Sequence, residues 1–139
     1  HGDNLYNSLL HVPLLIKFPG QTSAKTVTND VRTIDILPTV LDYAGIDAGD
    51  IDGKSLLPVI NAGNVDFTKR PIISYLLVNP VTWAKAVSVI RDGYKLIKGA
   101  IGNELYNLTA DKDEISNLSA FENDRVNDLD AYLLQFYAY

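Results

Sequence analysis

The dipeptide Asp92-Gly93, set between two short apolar runs, constrains the fold of this chain more than any other feature. Both residues tolerate the positive φ that a two-residue hairpin turn requires. The runs Ala84 to Arg91 and Tyr94 to Lys98 are therefore predicted to pair as antiparallel strands. Pro71 to Val78 and Glu104 to Leu108 read as two further strands. We expect a four-stranded antiparallel meander in the second half of the chain.

A helix is predicted after this sheet. Ser119-x-x-Glu122 matches a capping box, in which the two side chains satisfy the first backbone N–H groups of a helix. The residues that follow place apolar side chains on one helical face: Val126, Leu129, Leu133 and Phe136. We expect this face to cover the sheet.

The first half of the chain has a different pattern. Val12 to Phe18 is an apolar run that ends at Pro19-Gly20, which is typical of a strand buried on both faces. Thr33 to Ala44 predicts a helix with Leu37, Val40, Leu41 and Ala44 in one stripe. Asn61 to Lys69 is polar, and we place a boundary between two lobes there.

The ends of the predicted helix over Thr33 to Ala44 carry recognisable signals. Pro38 is expected in the first turn, where a missing N–H costs nothing, with Thr33 or Asp35 as the cap. Gly45 is expected to take the left-handed conformation just past the helix end.

Composition excludes several functions. The 139 residues carry a net charge of −5 and no basic cluster, which disfavours nucleic acid as a partner. There is no cysteine, so disulfides, thiolate metal sites and a cysteine nucleophile are excluded. No apolar run approaches the roughly 20 residues of a membrane span, and no targeting signal is recognisable. The chain opens on His1-Gly2-Asp3 without a methionine, which favours a piece of a longer protein.

Few residues suggest chemistry by themselves. His11 precedes the predicted buried strand and is interpreted as structural. Asp111, Asp113 and Glu114 resemble a paired acid site, but a solvated turn that starts a short helix is the preferred interpretation. Trp83, in the segment Val78 to Ala86, either packs or reaches toward a substrate cleft. The residues alone therefore predict an α+β fold without a complete active site.

Five segments, in order, resemble the C-terminal third of the sulfatases, in the alkaline phosphatase superfamily. They run from His1-Gly2 through Leu5-Tyr6 to Val12-Pro13-Leu14; Ile34-Asp35-Ile36-Leu37-Pro38-Thr39-Val40-Leu41; Asp52-Gly53-Lys54-Ser55-Leu56-Leu57-Pro58; Ala86-Val87-Ser88-Val89-Ile90-Arg91-Asp92-Gly93-Tyr94-Lys95-Leu96-Ile97; and Glu104-Leu105-Tyr106-Asn107-Leu108 through Asp111 and Glu114 to Asn117-Leu118. Lys112 and His11 depart from the family, which often has proline and arginine at these points.

The resemblance implies a fold for each half. Residues 1–69 would be the end of the large sulfatase α/β domain, and residues 70–139 would be the small C-terminal lobe, with its antiparallel sheet and helix. The missing N-terminal part of the parent would then be the partner of this chain. The fragment interpretation also predicts exposed apolar surface along Val12 to Phe18 and Leu37 to Ala44, where the missing sheet would pack.

The resemblance also implies a chemistry for the parent. Sulfatases cleave sulfate esters with a formylglycine, made from a Cys/Ser-x-Pro-x-Arg motif, and a divalent cation, usually calcium. That motif does not occur in this sequence, so the nucleophile and the metal ligands are expected upstream, and the chain alone is expected to be inactive. His1 is the one candidate site residue: the resemblance makes it the counterpart of a Lys or His that contacts the sulfate or protonates the leaving oxygen, and the alternative is that His1 merely lies at a cut end of the chain.

Two alternatives remain open. The parent could be a phosphodiesterase or phosphonate monoester hydrolase of the same superfamily, or the chain could be a non-catalytic interaction module. For a sulfatase, the expected substrate is a sulfated small molecule or polysaccharide, and a periplasmic, secreted or lysosome-like location is expected for the parent.

Overall fold

The computed structural model describes residues 4–62, 70–76 and 86–137. They form two compact units: one joins the residues up to Leu14 with those from Pro71 onward, and the other runs from Leu15 to Arg70. His1, Trp83 and most of the predicted linker Asn61 to Lys69 lie outside the described residues. The proposed domain limits of a parent protein, 1–69 and 70–139, stay a prediction.

The first unit is built on an antiparallel sheet of four strands in sequence order. The strands are β1 (Ile72–Leu76), β2 (Ala86–Arg91), β3 (Tyr94–Gly99) and β4 (Gly102–Asn107). Asp92 and Gly93 join β2 to β3 with φ of 50° and 77°, the positive values that this turn requires. The predicted meander and its hairpin are confirmed.

One face of the sheet is covered by the last helix, α4 (Asn123–Tyr137). Its buried residues Val126, Leu129 and Leu133 pack on four core residues of the strands: Val87, Val89, Leu96 and Leu105. The predicted apolar face of the helix is confirmed for these three positions, and the side chain of Phe136, the fourth, lies outside the described part of the structure. The predicted start is wrong: Leu118 accepts hydrogen bonds from the N–H groups of Phe121 and Glu122, so a separate turn precedes the helix.

The other face of the sheet is covered by residues 4–10, which include the short helix α1 (Asn7–Leu10). Leu5 is buried there with Ile97 and Tyr106, and Tyr6 and Leu10 pack against this cluster. The sequence pattern did not predict this cover, because four residues are too few to show helical periodicity.

The second unit contains a 3₁₀ turn (Thr33–Asp35) that leads into α2 (Ile36–Tyr43), and the later helix α3 (Leu57–Ala62). The helix predicted over Thr33 to Ala44 is confirmed, with Pro38 in its first turn and Gly45 at a φ of 71° after its end. The predicted cap differs: Asp35 makes no capping bond to α2 and instead accepts the N–H of Arg32, before the 3₁₀ turn.

The strand predicted over Val12 to Phe18 is wrong for the described residues, which contain no strand between Leu15 and Arg70. A strand forms only where a neighbouring strand accepts and donates its backbone hydrogen bonds, and none of the four described strands pairs with this run. The apolar side chains are accordingly exposed: Leu15 is 87% exposed, and Leu37 and Val40 of α2 are each 58% exposed. The exposure expected at both apolar segments is thus confirmed. Among the helices described, none has the length and hydropathy to cross a bilayer.

Candidate functional site

A buried ion pair lies on the sheet face that residues 4–10 cover. Lys95 Nζ is 2.7 Å from Glu114 Oε1, and the two side chains are only 0% and 2% exposed. Both partners also bind Asn7: Glu114 Oε2 accepts the Asn7 N–H at 2.6 Å, and Lys95 Nζ donates to Asn7 Oδ1 at 3.0 Å. We call Asn7, Lys95 and Glu114 the anchor cluster.

The sheet register explains how Lys95 comes to be buried. In β3, Tyr94 and Leu96 point toward α4, whereas Lys95 and Ile97 point to the opposite face, because successive side chains alternate. Lys95 sits between Ile90 of β2 and Tyr106 of β4. Burial lowers the pKa of Lys95, and the carboxylate of Glu114 counteracts this by favouring the charged ammonium.

Glu114 reaches Lys95 from the loop that follows β4. Its backbone has a φ of 56°, a left-handed conformation that costs about 1–2 kcal/mol for a residue with a Cβ. Asp111 stabilises this loop, since its carboxylate accepts the N–H groups of Ile115 and Ser116. Those backbone hydrogen bonds lower the pKa of Asp111.

A second group of polar side chains attaches residues 4–10 to the sheet. The hydroxyls of Tyr6 and Tyr106 both donate to Glu104 Oε2, each at 2.6 Å, and their rings meet edge to face. The Glu104 hydrogen bond and partial burial raise the pKa of Tyr6. For Tyr106, burial is the main cause of the raised pKa, and the bond to Glu104 adds to it. Both tyrosines therefore stay neutral donors.

The predicted site residues have different outcomes. His1 lies outside the described residues. His11 is exposed, at the end of α1 rather than at the start of a buried strand. The acidic turn is not uniformly solvated and starts no short helix: Asp113 is exposed, but Glu114 is 8% exposed and ion-paired, which corrects that interpretation. An open depression beside the anchor cluster is lined by Tyr6, Asn7, Ser8, His11, Lys112, Asp113 and Glu114.

Sequence reasoning missed the role of Lys95. The signal was a lysine at an inward-facing position of a predicted strand, where an apolar residue is the rule. Because Lys95 and Glu114 are paired and nearly inaccessible, the cluster can position backbone but cannot reach a substrate. The described residues bring together no set of three acidic or histidine side chains as metal ligands. We therefore assign no metal-dependent step to them.

Curated relatives of this chain are sulfatases. The chain is 31% identical over 137 residues to arylsulfatase K of Danio rerio, with 94% of this chain and 26% of that protein covered. It is 31% identical over 150 residues to N-acetylglucosamine-6-sulfatase of Homo sapiens, with 83% and 27% covered. The chain thus spans about a quarter of the length of these relatives.

Solved structures share the fold. BT4656, in complex with its substrate D-glucosamine-2-N,6-O-disulfate, is 25% identical with a TM-score of 0.60, over 73% of this chain and 23% of that one. The phosphonate monoester hydrolase of Agrobacterium radiobacter is 20% identical with a TM-score of 0.58, over 75% and 24%, which shows likeness of fold alone.

The match to a family is continuous along the chain. The sequence model of "N-sulphoglucosamine sulphohydrolase, C-terminal" covers residues 3–136, which include both compact units. The chain therefore belongs to this family of sulfatase C-terminal regions.

Proposed function

We propose that this chain is the C-terminal part of a sulfuric ester hydrolase and that the complete protein cleaves sulfate esters. The observation that carries the proposal is the family match over residues 3–136, which runs through both units without interruption. The formylglycine nucleophile would be supplied by residues outside this chain, because its sequence has no Cys/Ser-x-Pro-x-Arg motif. The ligands of the divalent cation would come from there as well. This chain would then supply the far wall of the large domain and the C-terminal lobe.

The substrate class we propose is a sulfated sugar. N-acetylglucosamine-6-sulfatase is among the relatives, and BT4656 binds a disulfated glucosamine. The likeness to these two proteins supports an amino-sugar sulfate as the first substrate to test. Phosphonate monoesters are the alternative, since a hydrolase of that class shares the fold.

His1 is the proposed catalytic contribution of this chain. Its imidazolium would donate a proton to the ester oxygen as the S–O bond breaks, so that the sugar leaves as an alcohol rather than an alkoxide. Histidine suits this role because its ordinary pKa is near 6.5, so both protonation states are accessible at neutral pH. The alternative role for His1 is a contact to the sulfate oxygens, whose negative charge an imidazolium would stabilise.

The test uses the complete protein with His1→Gln and, as the matched control, His11→Gln. General acid catalysis contributes about 10²–10⁴-fold, so His1→Gln should lower kcat on glucosamine 6-sulfate by that factor. The loss should be much smaller on 4-nitrophenyl sulfate, whose phenolate needs no proton to leave. His11→Gln should change neither rate.

Four outcomes would contradict these proposals. Equal losses on both substrates would make His1 a sulfate contact rather than an acid. No loss on either would remove it from the site. Turnover of phosphonate monoesters but not of sulfate esters would favour the alternative hydrolase, and no turnover of either class would favour an interaction module.

A further inference from the structure

The anchor cluster contains a buried ion pair. An apolar pair of similar volume often stabilises a folded protein equally well. Removing two charges from water has a large free-energy cost, and their mutual attraction often does no more than offset it. The side chains of Lys95 and Glu114 are 0% and 2% exposed, so that cost applies in full. An apolar pair could not form directed hydrogen bonds. The structure shows which groups accept or donate the hydrogen bonds of this pair.

Both partners direct their hydrogen bonds at one residue, Asn7. Asn7 begins α1, so its N–H is among those that a helix leaves without an intrahelical partner. Glu114 Oε2 accepts a hydrogen bond from that N–H, and Lys95 Nζ donates one to the side-chain oxygen of Asn7. Backbone and side chain of Asn7 are thereby fixed to the loop after β4 and to β3.

The two residues before Asn7 are fixed as well. Leu5 is 3% exposed in the cluster with Ile97, and the Tyr6 hydroxyl donates to Glu104. Leu5 to Asn7 therefore form a continuous attachment of the N-terminal segment to the sheet.

We propose that Lys95 and Glu114 are positioning residues: through their hydrogen bonds to Asn7 they fix the segment Leu5 to Asn7 on the sheet, and the reaction of the complete protein depends on that fixed position. The part that concerns catalysis rests on the proposed function. The left-handed backbone of Glu114 supports the proposal, because such conformations persist where the surroundings or the function require them.

The decisive comparison is between two double variants of the complete protein, Lys95→Met/Glu114→Gln and Lys95→Met/Glu114→Ala. Neither contains a buried unpaired charge, and they differ in whether an acceptor remains for the Asn7 N–H. In the Ala variant, the Asn7 amide should exchange its hydrogen at least about tenfold faster than in the Gln variant. Its kcat on a sulfate ester should be lower by about tenfold to a hundredfold, with KM little changed, because misplacement by about 1 Å can have that effect.

The control removes the other ion pair of β3. Lys98 Nζ lies 2.5 Å from Asp130 Oδ1 on α4, so Lys98→Met/Asp130→Asn alters the sheet on its helix side. It should leave Asn7 exchange and kcat at wild-type values. A similar loss of kcat in this control would show that the loss in the Ala variant comes from general destabilisation of the fold, and it would overturn the proposal.

Two further results would overturn the proposal. A third would distinguish failure of this proposal from failure of the proposed function. Equal Asn7 exchange in the two double variants would show that Glu114 does not hold the segment. Faster exchange with equal kcat would show that the attachment does not serve the reaction. If the wild-type protein turns over no sulfate ester, the proposed function fails, and Asn7 exchange alone decides whether Lys95 and Glu114 fix the segment.

Discussion

At the scale of single residues, Asp35 organises the unit that runs from Leu15 to Arg70. Its carboxylate is 0% exposed and accepts the N–H of Lys54 at 2.9 Å, the N–H of Arg32 at 3.0 Å and Arg70 Nη2 at 2.6 Å. Burial by itself would raise the pKa of Asp35, but these hydrogen bonds and the charge of Arg70 outweigh it and leave the pKa lowered. The folded state therefore favours the charged carboxylate.

Replacing Asp35 should reveal this preference as a pH-dependent loss of stability. Asp35→Ala leaves buried donors without an acceptor and should lower the free energy of unfolding by about 3–5 kcal/mol at pH 7. Asp35→Asn should lower it by less, since one acceptor remains. The advantage of wild type over Asp35→Asn should be complete above pH ~4, the unfolded carboxyl value, and should shrink as the pH falls toward the depressed folded pKa.

Urea unfolding at several values between pH 7 and pH 3 measures this dependence. Asp42→Asn, an exposed position on α2, is the matched control and should leave stability nearly unchanged. An advantage of wild type over Asp35→Asn that stays constant down to pH 3 would contradict a lowered pKa.

The candidate site could be predicted from the sequence only in part, and the reason lies in single residues. Asp111, Asp113 and Glu114 are close in sequence and share a charge, so local reasoning treats them alike. The structure separates them because Glu114 meets Lys95, a residue 19 positions earlier, and pairing permits its burial. Such a contact depends on strand register and loop path together, which no local pattern encodes.

At the scale of elements, the sheet was predictable and the N-terminal strand was not, for one physical reason. Turn chemistry at Asp92-Gly93 and alternating apolar positions specify the hairpin of β2 and β3 locally, and every partner strand lies nearby in the sequence. The run Val12 to Phe18 has strand character, but a strand also needs a partner, and none of the described strands pairs with this run. Composition indicates what a segment can form, whereas pairing decides whether it does.

Two adjacent leucines of α4 test the packing of that helix. Leu133 is 1% exposed in the core with Val87, Val89, Leu96 and Leu105, whereas Leu134 is 60% exposed. Leu133→Ala should lower the free energy of unfolding by about 2–5 kcal/mol, through lost burial and the remaining cavity. Leu134→Ala should change it by less than about 0.5 kcal/mol. Denaturant midpoints of the two variants make the comparison, and similar losses would mean that α4 does not lie on the sheet as described.

At the scale of the whole molecule, the two units bury very different amounts of apolar surface. The unit with the sheet has two clusters of buried apolar side chains, one on each face. In the unit from Leu15 to Arg70, the one such cluster described is centred on Leu56 and Val59, with Val27, Val31 and Ile60 packed against it. The apolar stripe of α2 does not contribute to that core: the buried positions of the helix are Pro38 and Thr39.

This imbalance predicts how the isolated 139-residue chain should behave. Exposed apolar side chains of the second unit include Leu15, Leu37, Val40 and Tyr43, and the last three are spaced three apart on one side of α2. Such surface binds hydrophobic dyes and promotes association. The isolated chain should therefore enhance dye fluorescence and self-associate as its concentration rises in sedimentation experiments. Leu37→Lys/Val40→Lys should reduce both effects by placing two like charges on that side of the helix.

The matched control changes apolar residues that are equally exposed in the other unit. Ile115 and Phe121 are 80% and 82% exposed, but they lie in the loop before α4 and not on a helix face. Ile115→Lys/Phe121→Lys adds the same charge, so it separates the effect of net charge from that of the α2 surface. If both double variants suppress dye binding and association equally, the stripe of α2 has no special part in them. A wild-type chain that stays monomeric and binds no dye would mean that this surface is covered within the chain itself, contrary to the exposure of Leu37 and Val40.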